Sequence, residues 1–381
     1  MNFRLSPDDE ALKARVAQVA ETRLRPRAQS WGERDELNWE LAKALGDEGL
    51  FGLLFPTEYG GALSGPFRAT TLYLVREELA RTCVAAEELF AVQGLGGYPI
   101  LLAGNDIQKR CYLPPLVRGE QVPTFALTEP GAGSDPAALS TMARRDGGDY
   151  VLNGTKCFIS NAPDAQTNVV FASTEPQAGR RGLSALIVER DTPGLVGRPM
   201  HTLAPHVIGE LTFEDCRVPR SHLLGEEGDG WRIAMETLDL FRASVGAQAL
   251  GLAQAALVLS IEYARARRQF GQPIASYQAI QFKLADMATE LEAARLLVYS
   301  AAWEWDHGSK LSPAASSMAK LYATEMAGRV VDQAVQIHGG LGVLRGHPVE
   351  RLYREARAPR IYEGTSEIQR LIIARELLRN L

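Results

Sequence analysis

The residues most able to do chemistry in this 381-residue chain fall in a few short stretches. In RIYEGTSEIQR, residues 360–370, Glu363 stands between a tyrosine and a glycine just before an apolar, helix-like tail. A carboxylate there could abstract a proton. It could equally be an acid favoured by the unpaired N–H groups and dipole of a helix N-terminus. Ser366 and Gln369 form an S-x-x-Q pattern that could box the same terminus. In FALTEPGAGSD, residues 125–135, the turn offers backbone N–H groups and hydroxyls. Such a turn suits a planar, carbonyl-rich ligand or a phosphate at close range, although most such turns are only turns. The cluster Arg265-Ala266-Arg267-Arg268 reads as a solvated helix face or an anion contact. His338, at an expected helix end, reads as a capping or packing histidine.

The remaining common chemistries lack their motifs. No G-x-G-x-x-G opens a strand–turn–helix unit, and G-x-x-x-x-G-K-[ST], H-E-x-x-H and G-x-S-x-G are absent. No metal site is expected from six dispersed histidines and four scattered cysteines, Cys83, Cys111, Cys157 and Cys216. A net charge of −5 argues against a polyanion-binding surface. The N-terminal stretch is charged throughout, unlike a secretory signal. No run approaches the roughly 18 uninterrupted apolar residues of a membrane span. The expected location is the cytoplasm.

Three changes of period organise the chain. Residues 1–120 read as helical, with Ser6-Pro7 as a start and Leu12, Val16 and Val19 on one face. Residues 121–228 read as a β domain, with short β-rich runs and Asn153-Gly154 as a hairpin signal. Residues 229–381 read as a helical bundle. There Ile280, Leu284, Met287, Leu291, Ala294, Val298, Ala301 and Trp305 form an unbroken bundle seam. A long helix is expected from near Trp231, another from Ser312-Pro313, and a stop at Gly339-Gly340.

Taken in order, FALTEPGAGSD, NGTKCFISNA (153–162), ARRQFGQPIASYQAIQFKLADM (266–287), QIHGGLG (336–342) and IYEGTSEIQRLIIAREL (361–377) resemble the acyl-CoA dehydrogenase family. The resemblance spans essentially the whole chain. It implies an α+β fold with an N-terminal helical domain, a middle β-barrel or sandwich domain and a C-terminal four-helix bundle. It also implies FAD, held between the β domain and the C-terminal helices. Phe125, Leu127, Thr128, Gly131, Gly133 and Ser134 would meet the flavin, Leu127, Thr128 and the 131–134 turn at its pyrimidine edge. Phe158, Ile159 and Ser160 would cover the ring, with the Ser160 hydroxyl near N5. Many members carry tryptophan at the Phe158 position; phenylalanine keeps the stacking face but lacks the indole N–H. Arg267, Phe270 and Gln278, with Gln336, Gly339 and Gly340, would reach the FAD of a neighbouring subunit, and Thr365 and Glu367 would complete its contacts.

The implied reaction is α,β-desaturation of an acyl-CoA thioester, with Glu363 as the base that takes the α-proton. Isovaleryl-type members carry the base on the long helix instead. Here that stretch reads LDLFR at 238–242, with Phe241 in the acid's place. Ser134 and Asp239 would contact CoA, Arg242 would position the base, and Tyr362 and Gly364 would flank the substrate. Phe241 is expected to narrow the pocket toward short, branched or cyclic acyl groups. The implied partners are an electron-transfer flavoprotein as acceptor and further copies of the chain in a homotetramer. An oxygen-using acyl-CoA oxidase and a non-catalytic, nucleic-acid-binding flavin fold are the alternatives.

Overall fold

The computed structural model describes residues 5–162, 164–308 and 312–379. The first helices are α1 (Pro7–Val19), α2 (Arg25–Trp31), α3 (Trp39–Asp47), α4 (Ala69–Thr82), α5 (Val84–Ala103) and α6 (Asp106–Val117). The strands that follow are β1 (Pro123–Ala126), β2 (Met142–Asp146), β3 (Asp149–Ser160), β4 (Thr167–Ser173), β5 (Leu183–Glu189), β6 (Leu195–Met200), β7 (Ile208–Pro219) and β8 (Leu223–Leu224). Then come α7 (Gly230–Ala266), the two-residue strands β9 (Arg268–Gln269) and β10 (Gln272–Pro273), α8 (Gln278–Asp306), α9 (Pro313–His338), α10 (Pro348–Glu355) and α11 (Ser366–Arg379). Helices, strands and helices thus follow in the order that the changes of period predict. By compactness the chain divides into two units. A helical unit gathers the residues up to Glu21, Arg68–Glu87 and the chain from Asp239 onward; a sheet unit gathers Thr22–Phe67 and Glu88–Leu238.

In the sheet unit the strand order is β6-β7-β3-β2-β4-β5-β8, and β1 adds to β4 in parallel. Alternation supplies the core: Tyr150 and Leu152 of β3, Val170 and Ala172 of β4, Leu186 and Val188 of β5 and Leu211 and Phe213 of β7 bury together. The Asn153-Gly154 hairpin is not formed. β3 runs unbroken through it with a register shift, and the tight turn lies at Gly147-Gly148, between paired Asp146 and Asp149. The reason is a close approach. A Cβ on Gly154 would stand 2.7 Å from Thr141 Cα, so the glycine serves packing, not a turn. Asn153 instead ties β3 to Asp215, accepting from its N–H at 2.9 Å.

The helical unit keeps the predicted seam. Met287, Leu291, Ala294, Val298 and Ala301 are buried, while Ile280, Leu284 and Trp305 at the ends are half-buried. α7 begins one residue before Trp231, and α9 ends at His338 where Gly339 turns to φ +59°. By length and composition α7 could cross a membrane, but 72% of its apolar window is buried in the fold, as in a core helix. Small residues let its neighbours close in. A Cβ on Gly246 would lie 2.7 Å from Val298 Cγ2, and one on Gly251 would lie 2.3 Å from the Glu77 carbonyl oxygen. A second stripe on α8, with Phe282, Leu296 and Trp303, stays exposed.

The Gly251 contact is with backbone, which cannot rotate away. Gly251→Ala should therefore cost about 1–3 kcal/mol through overpacking and lower the thermal midpoint. The same exchange at Gly148, where an added Cβ meets nothing within 4 Å, should leave the midpoint nearly unchanged.

Candidate active site

Glu363 lies in the turn between α10 and α11 with φ +51°, followed by Gly364 at +93°. Left-handed backbone is strained for a residue with a Cβ, so surrounding contacts must enforce it. Three nearly or fully buried side chains do so. Arg242 donates from Nε to the Glu363 carbonyl at 3.3 Å, and Lys320 Nζ donates to the Gly364 carbonyl at 2.7 Å. Gln369 Nε2 bonds both carbonyls, at 3.3 and 2.8 Å. Glycine suits position 364 because φ is +93°, and a Cβ there would stand 2.6 Å from that same Nε2 and displace it. Tyr362, just before, donates its hydroxyl to Gln248.

The clamp holds backbone and leaves the carboxyl itself unspent. Oε2 of Glu363 is buried with no hydrogen-bond partner among the described residues. Burial pushes its pKa above the ordinary carboxylate range, opposed by the charges of Arg76, Arg242 and Lys320. Burial also pulls Lys320 down to about 8, while Glu363 holds it up. Arg76 has its own buried partners, Glu87 Oε1 at 2.6 Å and Ser244 Oγ at 2.5 Å.

The S-x-x-Q box predicted for α11 is not what caps it. Thr365 is the cap, its Oγ1 accepting from Ile368 N at 3.3 Å. Ser366 already lies in the helix and bonds Glu325 at 2.6 Å, and Gln369 is taken by the clamp. Glu363 is thus outside the cap altogether. Asp239 pairs with Arg242 at 2.9 Å, and Phe241, between them on α7, is fully buried.

In the sheet unit the 127–141 loop folds around a buried ion pair. Glu129 meets Lys156 Nζ at 2.7 Å and accepts from the N–H groups of Ser140 and Thr141 at 2.6 and 3.0 Å. Lys156 also donates to the Leu127 carbonyl at 3.1 Å, and Cys157 N donates to the Thr128 carbonyl at 3.0 Å. Burial alone would push Glu129 up, but Lys156 and these hydrogen bonds hold it at about 2. The pair fixes the exposed Gly131, Gly133 and Ser134 beside β3, where Phe125 packs on Phe171. A bulge between Lys156 and Ile159 gives Phe158 a φ of +55° and turns its ring outward, 59% exposed. Ile159 is buried in the core, and Ser160, which ends β3, is half-buried.

The other predicted contacts lie on the surface of the helical unit. Arg267 and Phe270 lie in the α7–α8 connection, where Phe270 at φ +51° is 94% exposed, and Gln278 is the first residue of α8. Gln336, Gly339 and Gly340 are exposed at the end of α9. Neither group joins the clamp, whereas half-buried Thr365 and exposed Glu367 directly follow it. Sequence reasoning missed Lys320, Arg76, Glu129 and Lys156, and gave Gln369 to a capping box instead of the clamp. Lys320 had a signal: it shares the buried face of α9 with Ser316, Ala319 and Ala323, and a charge in such a stripe needs a buried partner.

Three family models cover almost the whole chain: the acyl-CoA dehydrogenase N-terminal domain at 6–120, middle domain at 124–216 and C-terminal domain at 228–378. The chain belongs to the acyl-CoA dehydrogenase family. It is 44% identical to the acryloyl-CoA reductase (NADH) of Anaerotignum propionicum over 384 residues, 100% of this chain and 96% of the relative. It is 40% identical to the cyclohexane-1-carbonyl-CoA dehydrogenase of Geobacter metallireducens over 380 residues, 99% of each. Its fold matches butyryl-CoA dehydrogenase from Megasphaera elsdenii with a TM-score of 0.94 at 38% identity, covering 100% of both chains.

Acyl-CoA dehydrogenases are FAD-dependent oxidoreductases, and the residues present here fit that cofactor. A flat, carbonyl-edged ring needs an open aromatic face and a turn without side chains in the way. Phe158 leaves its ring exposed, and a Cβ on Gly131 or Gly133 would meet nothing within 4 Å. The same open space stands before Gly339 and Gly340.

Removing one member of the Glu129–Lys156 pair strands a buried charge. Lys156→Met should cost about 3–5 kcal/mol and lower the thermal midpoint, and the Glu129→Gln/Lys156→Met double variant should recover most of it. Because the Glu129 pKa is depressed, its contribution is present above the unfolded carboxylate value. It should fade as pH falls toward 2 in wild type and be missing in the double variant.

Proposed function

We propose that this chain catalyses α,β-desaturation of a short, branched or cyclic acyl-CoA thioester, with Glu363 as the base. The carrying observation is the unspent, buried Oε2 of Glu363 on a backbone that three buried side chains clamp. The α C–H of a thioester is weakly acidic, and a base works best when its pKa approaches the operating pH. Desolvation moves Glu363 in that direction. Its side chain accepts the α-proton at a carboxylate oxygen, and its own backbone N–H donates to the thioester carbonyl, where negative charge develops. Bound FAD supplies the acceptor, at N5, for the hydride that leaves the β-carbon. Arg242 keeps the Glu363 backbone in place, with Tyr362 and Gly364 beside the substrate and Ser134 and Asp239 toward CoA. Phe241 narrows the acyl end.

FAD is held by Phe125, Leu127, Thr128, Gly131, Gly133, Ser134, Phe158, Ile159 and Ser160. Arg267, Phe270, Gln278, Gln336, Gly339 and Gly340 serve a neighbouring subunit's FAD, and Thr365 and Glu367 close the contacts. The exposed stripe of Phe282, Leu296 and Trp303 on α8 supports burial against further copies of the chain, in a tetramer. An electron-transfer flavoprotein is the proposed acceptor and the cytoplasm the proposed location. The domains proposed to act together are 1–120, 121–228 and 229–381.

Anaerobic titration with a CoA-thioester panel tests the reading. C4–C8 and cyclic thioesters should bleach the flavin better than palmitoyl-CoA; the reverse order would refute the pocket argument. Glu363→Gln should keep FAD and lose about 10²–10⁴-fold in the rate of bleaching, and unchanged bleaching would end the base assignment. The rate should fall as pH drops through a pKa above the ordinary carboxylate value, since the protonated acid cannot act as base. The raised pKa also means that ionised Glu363 costs stability at neutral pH. Glu363→Gln should therefore melt higher than wild type at pH 7, and the gap should close as pH falls below the unfolded carboxylate pKa.

A further inference from the structure

A second set of polar side chains in the sheet unit is spent on a single hydroxyl. Ser160 ends β3 and pairs with Ile208, the first residue of β7. His206 lies two residues before Ile208, in the loop that leads into β7. The Asn161 N–H donates to the Val207 carbonyl at 2.8 Å and ties this loop to the end of β3. His206 Nε2 then stands 2.8 Å from Ser160 Oγ, and its Nδ1 stands 3.2 Å from Oε1 of Glu88 on α5. Serine, imidazole and carboxylate are joined in one line.

With the ring neutral, the chemistry of the three groups sets its direction. A carboxylate only accepts, so Glu88 selects the imidazole form with hydrogen on Nδ1. In the neutral ring Nε2 is then an acceptor, and the Ser160 O–H is the donor that reaches it. The hydroxyl proton is committed to His206, and what Ser160 has left to present to a ligand is its lone pairs.

We propose that His206 and Glu88 are positioning residues that make Ser160 a hydrogen-bond acceptor toward the flavin. This rests on the reading above that Ser160 faces that ring. An acceptor matches the reduced flavin, which carries N–H at N5, and mismatches the oxidised ring, which has a bare nitrogen there. The His206–Glu88 pair therefore biases the protein toward the reduced cofactor. Removing the imidazole frees the hydroxyl proton to turn outward and reverses the preference.

Midpoint potentials of the FAD-loaded protein, together with its affinities for oxidised and reduced FAD, test this. His206→Leu should lower the preference for reduced over oxidised FAD about tenfold, a fall of about 30 mV for a two-electron couple. Glu88→Gln, which keeps the side-chain volume, should shift it the same way by less, and serves if the leucine variant does not fold. In a Ser160→Ala background both changes should have no further effect, because their action runs through Ser160. Nitrogen chemical shifts of the His206 ring in wild type should show hydrogen on Nδ1 and a bare Nε2. Equal shifts with and without Ser160, an upward shift, or hydrogen on Nε2 would overturn the proposal alone. A Ser160→Ala protein with unchanged potential and FAD affinity would overturn the placement of Ser160 at the flavin, and the proposal with it.

Discussion

The helical unit is organised around two carbonyl oxygens, those of Glu363 and Gly364. Both belong to left-handed residues, and both are satisfied by side chains, not by regular secondary structure. Arg242 comes from α7, Lys320 from α9 and Gln369 from α11, so three helices must arrive in register for the turn to exist. The long buried seams of α8 and α9 and the glycine contacts of α7 set that register. In return, Arg242, Lys320 and Gln369 are bound to backbone carbonyls and Arg76 to Glu87 and Ser244, and none of them bonds Oε2 of Glu363. An acid can remain buried without a hydrogen bond at one oxygen only when its surroundings are committed elsewhere.

The sheet unit follows the same logic with a different device. There a carboxylate, Glu129, gathers the donors of Lys156, Ser140 and Thr141, and the loop bearing Gly131 and Gly133 is shaped from beneath. The loop closes on itself, Glu129 and Ala132 exchanging backbone hydrogen bonds of 3.1 Å, and leaves Gly131 and Gly133 open. Bulge and ion pair together place an aromatic ring and a glycine turn on the unit's surface, features that a core would otherwise absorb.

Much of this was legible in the sequence where it was periodic or motif-borne. The α8 seam, the start of α7 near Trp231 and the stop at Gly339 follow from spacing and from the glycine's freedom. The family followed from five motifs in order. What could not be read depends on distance in the chain. Asn153-Gly154 has the composition of a turn, yet Thr141 packs against the glycine and the strand continues. Ser366 and Gln369 have the spacing of a box, yet Glu325 and the 363–364 carbonyls claim them first. Local rules gave way to partners 41 residues away or hidden in the turn just before. Likewise nothing local marks His206 as a neighbour of Ser160; the register of β7 brings them together.

Lys320 carries a last consequence. Its ammonium is fully buried, and burial brings its pKa down to about 8, within reach of mild alkali. The neutral amine still has N–H groups and can still donate to the Gly364 carbonyl. The turn is thus fastened by a bond whose direction matters more than its charge. Arginine, being always ionised, could not make that exchange, and a methionine of similar length could not make the bond at all. Lysine thus gives the turn a donor in either charge state.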